Sequence, residues 1–422
     1  MPTVLKNTAK GSGKSTLFEM FTKPHRGILS KLNTSKNTYI AGYSKKIMAD
    51  ITQDHISLIY KNSNKETSDI KRFWKCLTLF QLENMLNISN KYFDCFEDLS
   101  SKFHELEVGI DVDRKLKEIN IEQLKDEKII TLVYDELDVA FSDSDLVLRK
   151  VFITALVSFW QDNIYKFSQI RSKVLLRNDI FQTLEIENKT HLDLNRYELK
   201  WNEKEILSLI LNIFISALTH DELDAINLSS IIKKKNNISN EVSDDIEEIR
   251  SAIYLIFDRK LSGNRPSMDK FIMTRLADAK GLITPRVIYK FMSESIKNEI
   301  ALTTRVEKKH LFTSFEKKNI DILREVSKHK LEEYNAEYPT YKNIYEKLQK
   351  IGQRIFTFEE LKQQYPRKTS IEKINSDLNK LENSGFIHVH DERKKKFQVA
   401  YIYLFALNLK LNRSNTDKKA KK

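Results

Sequence analysis

Two cysteines, six prolines and nine glycines in 422 residues leave this chain poor in the residue types that staple, break or turn a backbone. Cys76 and Cys95 form no CxxC and join no cysteine–histidine cluster at metal spacing. That excludes a disulfide framework and a structural zinc site, and it points to a reduced, cytoplasmic protein. Average usage is about 7% glycine and 5% proline, and here no proline stands between Pro24 and Pro266. Long uninterrupted helices are expected across that gap, for example over Asp69–Leu86, where Ile70, Phe73, Leu77 and Phe80 recur at helical spacing. Long apolar runs are also missing. The best of them, Ile206–Leu218, falls short of the roughly 20 residues a membrane span needs and is expected to be a buried helix. No charged-then-apolar leader opens the sequence, so neither secretion nor a membrane partner is expected.

The chain carries 41% apolar and 31% charged residues and a formal net charge of +12. Its length suggests two or three domains. A basic excess suits an acidic partner, most often nucleic acid, although a lysine-rich composition spread evenly along the chain would give the same sum. His388 and His390 flank Val389 on an expected strand, as two imidazoles on one face.

The sparse glycines are concentrated where chemistry is expected. A short strand, "TVLKN", precedes "TAKGSGKST", which holds Gly11, Gly13, Lys14 and Ser15 ahead of an apolar helix. The phosphate-loop pattern is G-x-x-x-x-G-K-[ST]; Thr8 stands where its first glycine belongs. Gly11, Ser12, Gly13, Lys14, Ser15 and Thr16 are the expected nucleotide-binding residues. Lys14 would reach the outer phosphates, and Ser15 would ligate Mg²⁺. A second apolar strand, within Lys128–Glu136, ends in Asp135 and Glu136. Asp135 is the expected metal-side carboxylate and Glu136 the residue that polarises an attacking water, while Asp138 would cap the next segment. A third strand, within Ser172–Asp179, ends in Arg177 and Asn178. Asn178 is a candidate γ-phosphate sensor and Arg177 a charge-compensating catalytic residue, with a surface ion pair as the alternative for Arg177. Pro285 is expected at a helix start beside Arg286, which a lid could bring to the nucleotide.

The first half reads as α/β, with a parallel sheet between helices. Residues 1–220 are the expected ATPase core, 221–300 a helical lid with a loop at Lys233–Asp245, and 301–340 a linker helix ending in a hinge at "YPTYKN". Residues 341–410 form an expected winged helix-turn-helix and 411–422 a basic tail. In the winged segment Ser370 caps a helix with Ile371, Ile374, Leu378 and Leu381 on its apolar face, and Gly385 ends it. Two strands, Phe386–His390 and Phe397–Tyr403, would flank a wing carrying Arg393, Lys394, Lys395 and Lys396. Those four are the candidate contacts to double-stranded DNA. A protein-binding winged helix with a solvated tip is the alternative.

"KGSGKST", "VYDELD", "VLLRND" and "ITPR" occur in an order that resembles the AAA+/STAND-like P-loop ATPases. The likeness is greatest to the origin-recognition branch and to related bacterial ATPases with a C-terminal winged helix. The resemblance implies an ATP- and Mg²⁺-dependent conformational switch, a homo-oligomer, and an engagement of DNA or an effector protein, with anti-phage defence as one setting. A DNA-binding regulator with little hydrolysis and an ATP-gated protein scaffold stand beside that reading.

Overall fold

The structure is a computed structural model. It describes residues 3–7, 11–23, 36–46, 48, 51–63, 66–137, 146–187, 189, 192, 196–217, 232–235, 239–242, 244–257, 266–302, 315–393 and 395–411. Thr8, Asp138, Lys394 and the tail beyond Leu411 lie outside these residues. The chain divides into two compact units, Met1–Lys200 and Trp201–Lys422. The division falls after Lys200, so the apolar helix at 203–217 lies in the second unit.

The first unit is a parallel sheet with helices around it. Its elements in order are β1 (Thr3–Asn7), α1 (Lys14–Thr22), β2 (Asn37–Tyr43), α2 (Gln53–Asn62), α3 (Thr67–Met85), α4 (Phe96–Lys102), α5 (Leu106–Lys125), β3 (Ile129–Tyr134), α6 (Leu146–Asn163), β4 (Ile170–Arg177), α7 (Asn178–Thr183) and β5 (Arg196–Leu199). The sheet runs β2-β3-β4-β1-β5 with every pairing parallel. β3 and β4 are central strands, which is why they read as near-continuous apolar runs. β2 and β5 are edge strands with polar residues, and they carry no comparable signal. One face of the sheet packs on α3, α5 and α6 through Trp74, Leu116 and Phe152. The other face meets α1, where Phe18 is buried against Val133 and Leu175. Because all five strands are parallel, the ends of β1, β3 and β4 lie along one edge, where ligands of α/β sheets bind.

The second unit contains α8 (Glu203–Ala217), β6 (Ile232–Lys235), β7 (Ser239–Val242), α9 (Ile246–Ile256), α10 (Met268–Arg275), α11 (Pro285–Leu302), α12 (Phe315–Glu337), α13 (Lys342–Ile351), β8 (Ile355–Thr357), α14 (Phe358–Lys362), α15 (Ile371–Asn383), β9 (Ile387–Asp391), β10 (Lys396–Val399) and α16 (Tyr401–Leu404). β6 and β7 pair antiparallel, so part of the stretch expected as a loop is a hairpin. A second small sheet runs β8-β10-β9. One continuous core reaches from Ile206 on α8 to Leu409. The expected hinge is a 3₁₀ turn at Pro339–Tyr341. It packs among aromatics, with Tyr338 stacked on Tyr341 and Tyr334 against Phe386.

The strand expected over Phe397–Tyr403 stops at Val399 and gives way to a helical turn. Ile402, Tyr403 and Leu404 are all buried, and three consecutive buried side chains do not fit a strand with one open face. Ser370 accepts a hydrogen bond from the Lys373 amide as the cap of α15, and Gly385 takes φ 75° just beyond its end. His388 and His390 share a face of β9; with the Gln398 amide turned so that its nitrogen faces them, they accept from it at 3.0 and 3.3 Å.

Candidate functional site

The site begins with two backbone conformations that favour glycine. Gly11 and Gly13 have φ of 85° and 103°, the left-handed region that costs a side-chain-bearing residue about 1–2 kcal/mol. Gly13 is the N-cap of α1 and offers no side-chain cap, and no acid occupies the first turn. A helix start of this kind turns its amides and the positive end of its dipole toward an anion. Ser12 is buried beside them. Lys14 and Ser15 open the helix, and Thr16 is exposed on its outer side.

β3 delivers Asp135 to the same place. Its amide donates to the Tyr43 carbonyl at 2.9 Å, extending the β2–β3 ladder by one bond. The Asp135 side chain is 2% exposed. Burial pushes its carboxyl above the ordinary carboxylate range, opposed by a hydrogen bond from Ser15 and by the charge of Lys14. Its Oδ2 is buried without a hydrogen-bond partner among the described residues. A buried, unsatisfied acceptor costs about 1–3 kcal/mol, so this oxygen is positioned at a cost to stability. Hydroxyl and carboxylate oxygens are the donor set that suits Mg²⁺, and Ser15 with Asp135 fits that ion.

Glu136, at φ 57°, is one of five side-chain-bearing residues with positive φ among the described residues. Its Oε2 accepts from the Ser44 hydroxyl at 2.8 Å and from the Lys46 amide at 3.1 Å. The Lys46 ammonium lies 3.9 Å from Glu136 and 3.8 Å from Glu19 of α1. These groups line one pocket with Ser15 and Asp135. The hold on Glu136 originates in a bulge of β2, where the register with β3 shifts between Ala41 and Tyr43. Gly42 is the extra residue, and a Cβ there would come within 2.5 Å of the Tyr134 ring. Bulges bend a strand and re-aim the residues beyond them, which here include Ser44 and Lys46. Sequence reasoning missed Ser44 and Lys46, because nothing local marked β2 as a strand, and it missed Glu19 of α1, whose role depends on Lys46.

Arg177 closes β4 and pairs in register with Asn7, the last residue of β1, just ahead of the glycine loop. It is 7% exposed, so the residue lies buried at the carboxyl end of the sheet and not on the surface. Asn178 begins α7, and its side-chain oxygen accepts from Gln182 at 3.2 Å. Arg286 is in the second unit, second residue of α11, with an ion pair to Glu333 of α12 at 3.0 Å.

Of the basic tip, Arg393 and Lys395 are exposed. Lys395 takes φ 46° and its ammonium lies 5.9 Å from the Phe358 ring centroid. Lys396 is the first residue of β10, half-buried and paired in register with Asp391. The tip therefore presents its described charges unequally.

Asp135→Asn gives a test of this geometry in the absence of any ligand. A carboxyl whose folded pKa is raised weakens the fold as pH climbs through that pKa, and it has no such cost below the ordinary carboxylate range. The variant is expected to melt about 2–6 °C higher than wild type at pH 7. That gain should fade near pH 4, and stabilisation by Mg²⁺-nucleotide should be lost. Thermal melts at both pH values, with and without Mg²⁺-ATP, check it; an unchanged melting point at pH 7 contradicts the assignment.

No known family profile and no curated protein matches the sequence. The chain is similar to the Walker-type ATPase PABY2304 of Pyrococcus abyssi, with 13% identity and a TM-score of 0.44 over 96% of this chain and 90% of that one. It is also similar to Cdc6p from Pyrobaculum aerophilum, with 12% identity and a TM-score of 0.32 over 96% and 86%. Among the described residues no helix is long and apolar enough to cross a membrane, and no group of three acidic, histidine or cysteine side chains is arranged to hold a metal.

Proposed function

We propose that the chain is a P-loop ATPase that binds Mg²⁺-ATP in the first unit and hydrolyses it. The observation that carries this reading is the Asp135 carboxyl: buried, hydrogen-bonded to Ser15 at the start of α1, and left with an unpartnered oxygen. A carboxyl with only a structural role would have its second oxygen satisfied. The glycine loop cradles the phosphates with main-chain amides, and Lys14 neutralises their outer charge. Ser15 and Asp135 would hold Mg²⁺, which when bound supplies charge neutralisation at the β- and γ-phosphate oxygens. Glu136 orients the attacking water and accepts its proton. Held by Ser44 and Lys46, it first has to turn from that hold toward the nucleotide. Arg177 at the adjacent strand end offers a positive charge to the γ-phosphate, and Asn178 a polar contact.

The second unit supports a further step in the reading. From α13 to β10 its elements run helix, strand, helix, helix, strand, strand, with α15 capped and amphipathic, the arrangement expected of a winged helix. We assign it to double-stranded DNA, with Arg393 and Lys395 on backbone phosphates. A protein-binding role is the second reading, favoured by Asp391 and Glu392 beside the same tip. Arg393→Glu with Lys395→Glu is expected to weaken binding to all DNA sequences alike and to flatten the slope of log K against log salt by about 1.8, at about 0.9 per phosphate contact. An unchanged slope in a salt series moves the module to the protein-binding reading. The overall proposal is tested by ATP turnover with and without double-stranded DNA: stimulation supports a switch coupled to DNA, and no turnover under either condition contradicts the ATPase assignment.

A further inference from the structure

The outer face of α5 carries apolar residues that the fold does not use. Leu106, Ile110, Ile121 and Leu124 are 73%, 70%, 51% and 52% exposed. Val112, Leu116 and Ile119 on the inner face already satisfy the packing of this helix against the rest of its unit. At about 100° per residue, the four exposed side chains fall within about 60° of one another. They form two apolar pairs at the ends of a stripe about 27 Å long, at about 1.5 Å per residue, with exposed Lys117 between them. Single exposed apolar residues need no explanation, whereas an aligned set marks an interaction surface.

The order of residues along the stripe identifies its partner. Leu106 and Leu124 lie nine residues either side of Lys115, and Ile110 and Ile121 lie five and six residues either side. The flanking charges repeat the arrangement with opposite signs: Glu107 near the start answers Lys125 at the end, and Arg114 answers Glu118 about the centre. A second α5 laid antiparallel, with a two-fold axis near Lys115, sets leucine on leucine and isoleucine on isoleucine. The same axis brings each Glu107 to a Lys125 and each Arg114 to a Glu118. Glu107 and Lys125 of one chain stand about 27 Å apart along the helix, too far to interact within it. A helix from an unrelated partner places no such constraint on this sequence, but a two-fold contact needs self-complementarity.

We infer that α5 is a homodimerisation helix, pairing antiparallel with α5 of a second copy of this chain. The contact is isologous and closed. It consists of one helix pair, at the small end of stable interfaces, so the dissociation constant is expected at about micromolar.

Sedimentation equilibrium of the full chain at low salt, without nucleotide, tests this. Wild type is expected to convert from monomer to dimer across the micromolar range. Ile110→Glu, on an exposed position, should remain monomeric with an unchanged circular dichroism spectrum. Glu107→Lys and Lys125→Glu should each weaken self-association about tenfold, by turning attractive pairs into repulsive ones. Mixed in equal amounts, those two variants should associate again, because every cross-pair is then complementary. A wild type that stays monomeric at 100-fold above the expected constant overturns the inference. So does a dimer indifferent to Ile110→Glu, or a mixture that associates no better than its components. None of these measurements depends on nucleotide, so their failure leaves the ATPase assignment standing.

Discussion

Replacing Glu136 with glutamine is expected to lower ATP turnover about 10²–10⁴-fold while leaving nucleotide affinity unchanged. The amide keeps the shape of the side chain but accepts no proton from water. It can also be held by Ser44 and Lys46 much as the carboxylate is, so the fold has no reason to change. Single-turnover hydrolysis beside equilibrium binding separates the two effects. Turnover equal to wild type removes Glu136 from the chemistry and makes Asp138 the next candidate. Ser44→Ala is expected to act in the opposite direction. Removing one of two hydrogen bonds that hold Glu136 in its resting position should raise basal turnover by up to about tenfold, the equivalent of about 1.4 kcal/mol. A Ser44→Ala variant slower than wild type would make the Ser44 contact a catalytic aid instead of a restraint.

Lys14→Ala is expected to weaken Mg²⁺-ATP binding by about 10²-fold or more, the cost of leaving phosphate charge without its paired cation. The helical content should not fall. Lys14 is the first residue of α1, and alanine is the best helix former. Burial of Phe18 against Val133 and Leu175 is untouched by the change and continues to hold the helix on the sheet. Calorimetric titration with a parallel circular dichroism spectrum checks both statements. Affinity equal to wild type would remove the nucleotide from this loop.

The residues legible in the sequence were those whose chemistry is contiguous. Gly11 through Ser15 form one loop, and Asp135 with Glu136 end one apolar strand, so a local pattern identifies each. β3 and β4 were visible because buried parallel strands are apolar throughout. β2 was not, since "NTYIAGY" is an edge strand without clear alternation whose identity depends on pairing with β3, distant in sequence. With β2 went Gly42, Ser44 and Lys46, the groups that position Glu136. Sequence also left β8 unseen, because three residues carry no periodicity. It carried the last strand on to Tyr403 because tyrosine and isoleucine favour one locally, a preference that burial of three consecutive residues overrides. α5 was readable as an amphipathic helix only in part: its inner face follows from periodicity, and its outer stripe acquires meaning only once exposure is known.

The central claim is that Gly11–Ser15 and Asp135 form a binding site for one Mg²⁺-nucleotide. Equilibrium dialysis of ATP against the purified full chain, with Mg²⁺ and then with excess chelator, tests it most directly. The expected result is one ATP per chain with Mg²⁺, a marked loss of affinity without it, and no Mg²⁺ dependence in Asp135→Asn. A folded chain that takes up no ATP in the presence of Mg²⁺, or an Asp135→Asn variant whose binding still depends on the ion, contradicts the account.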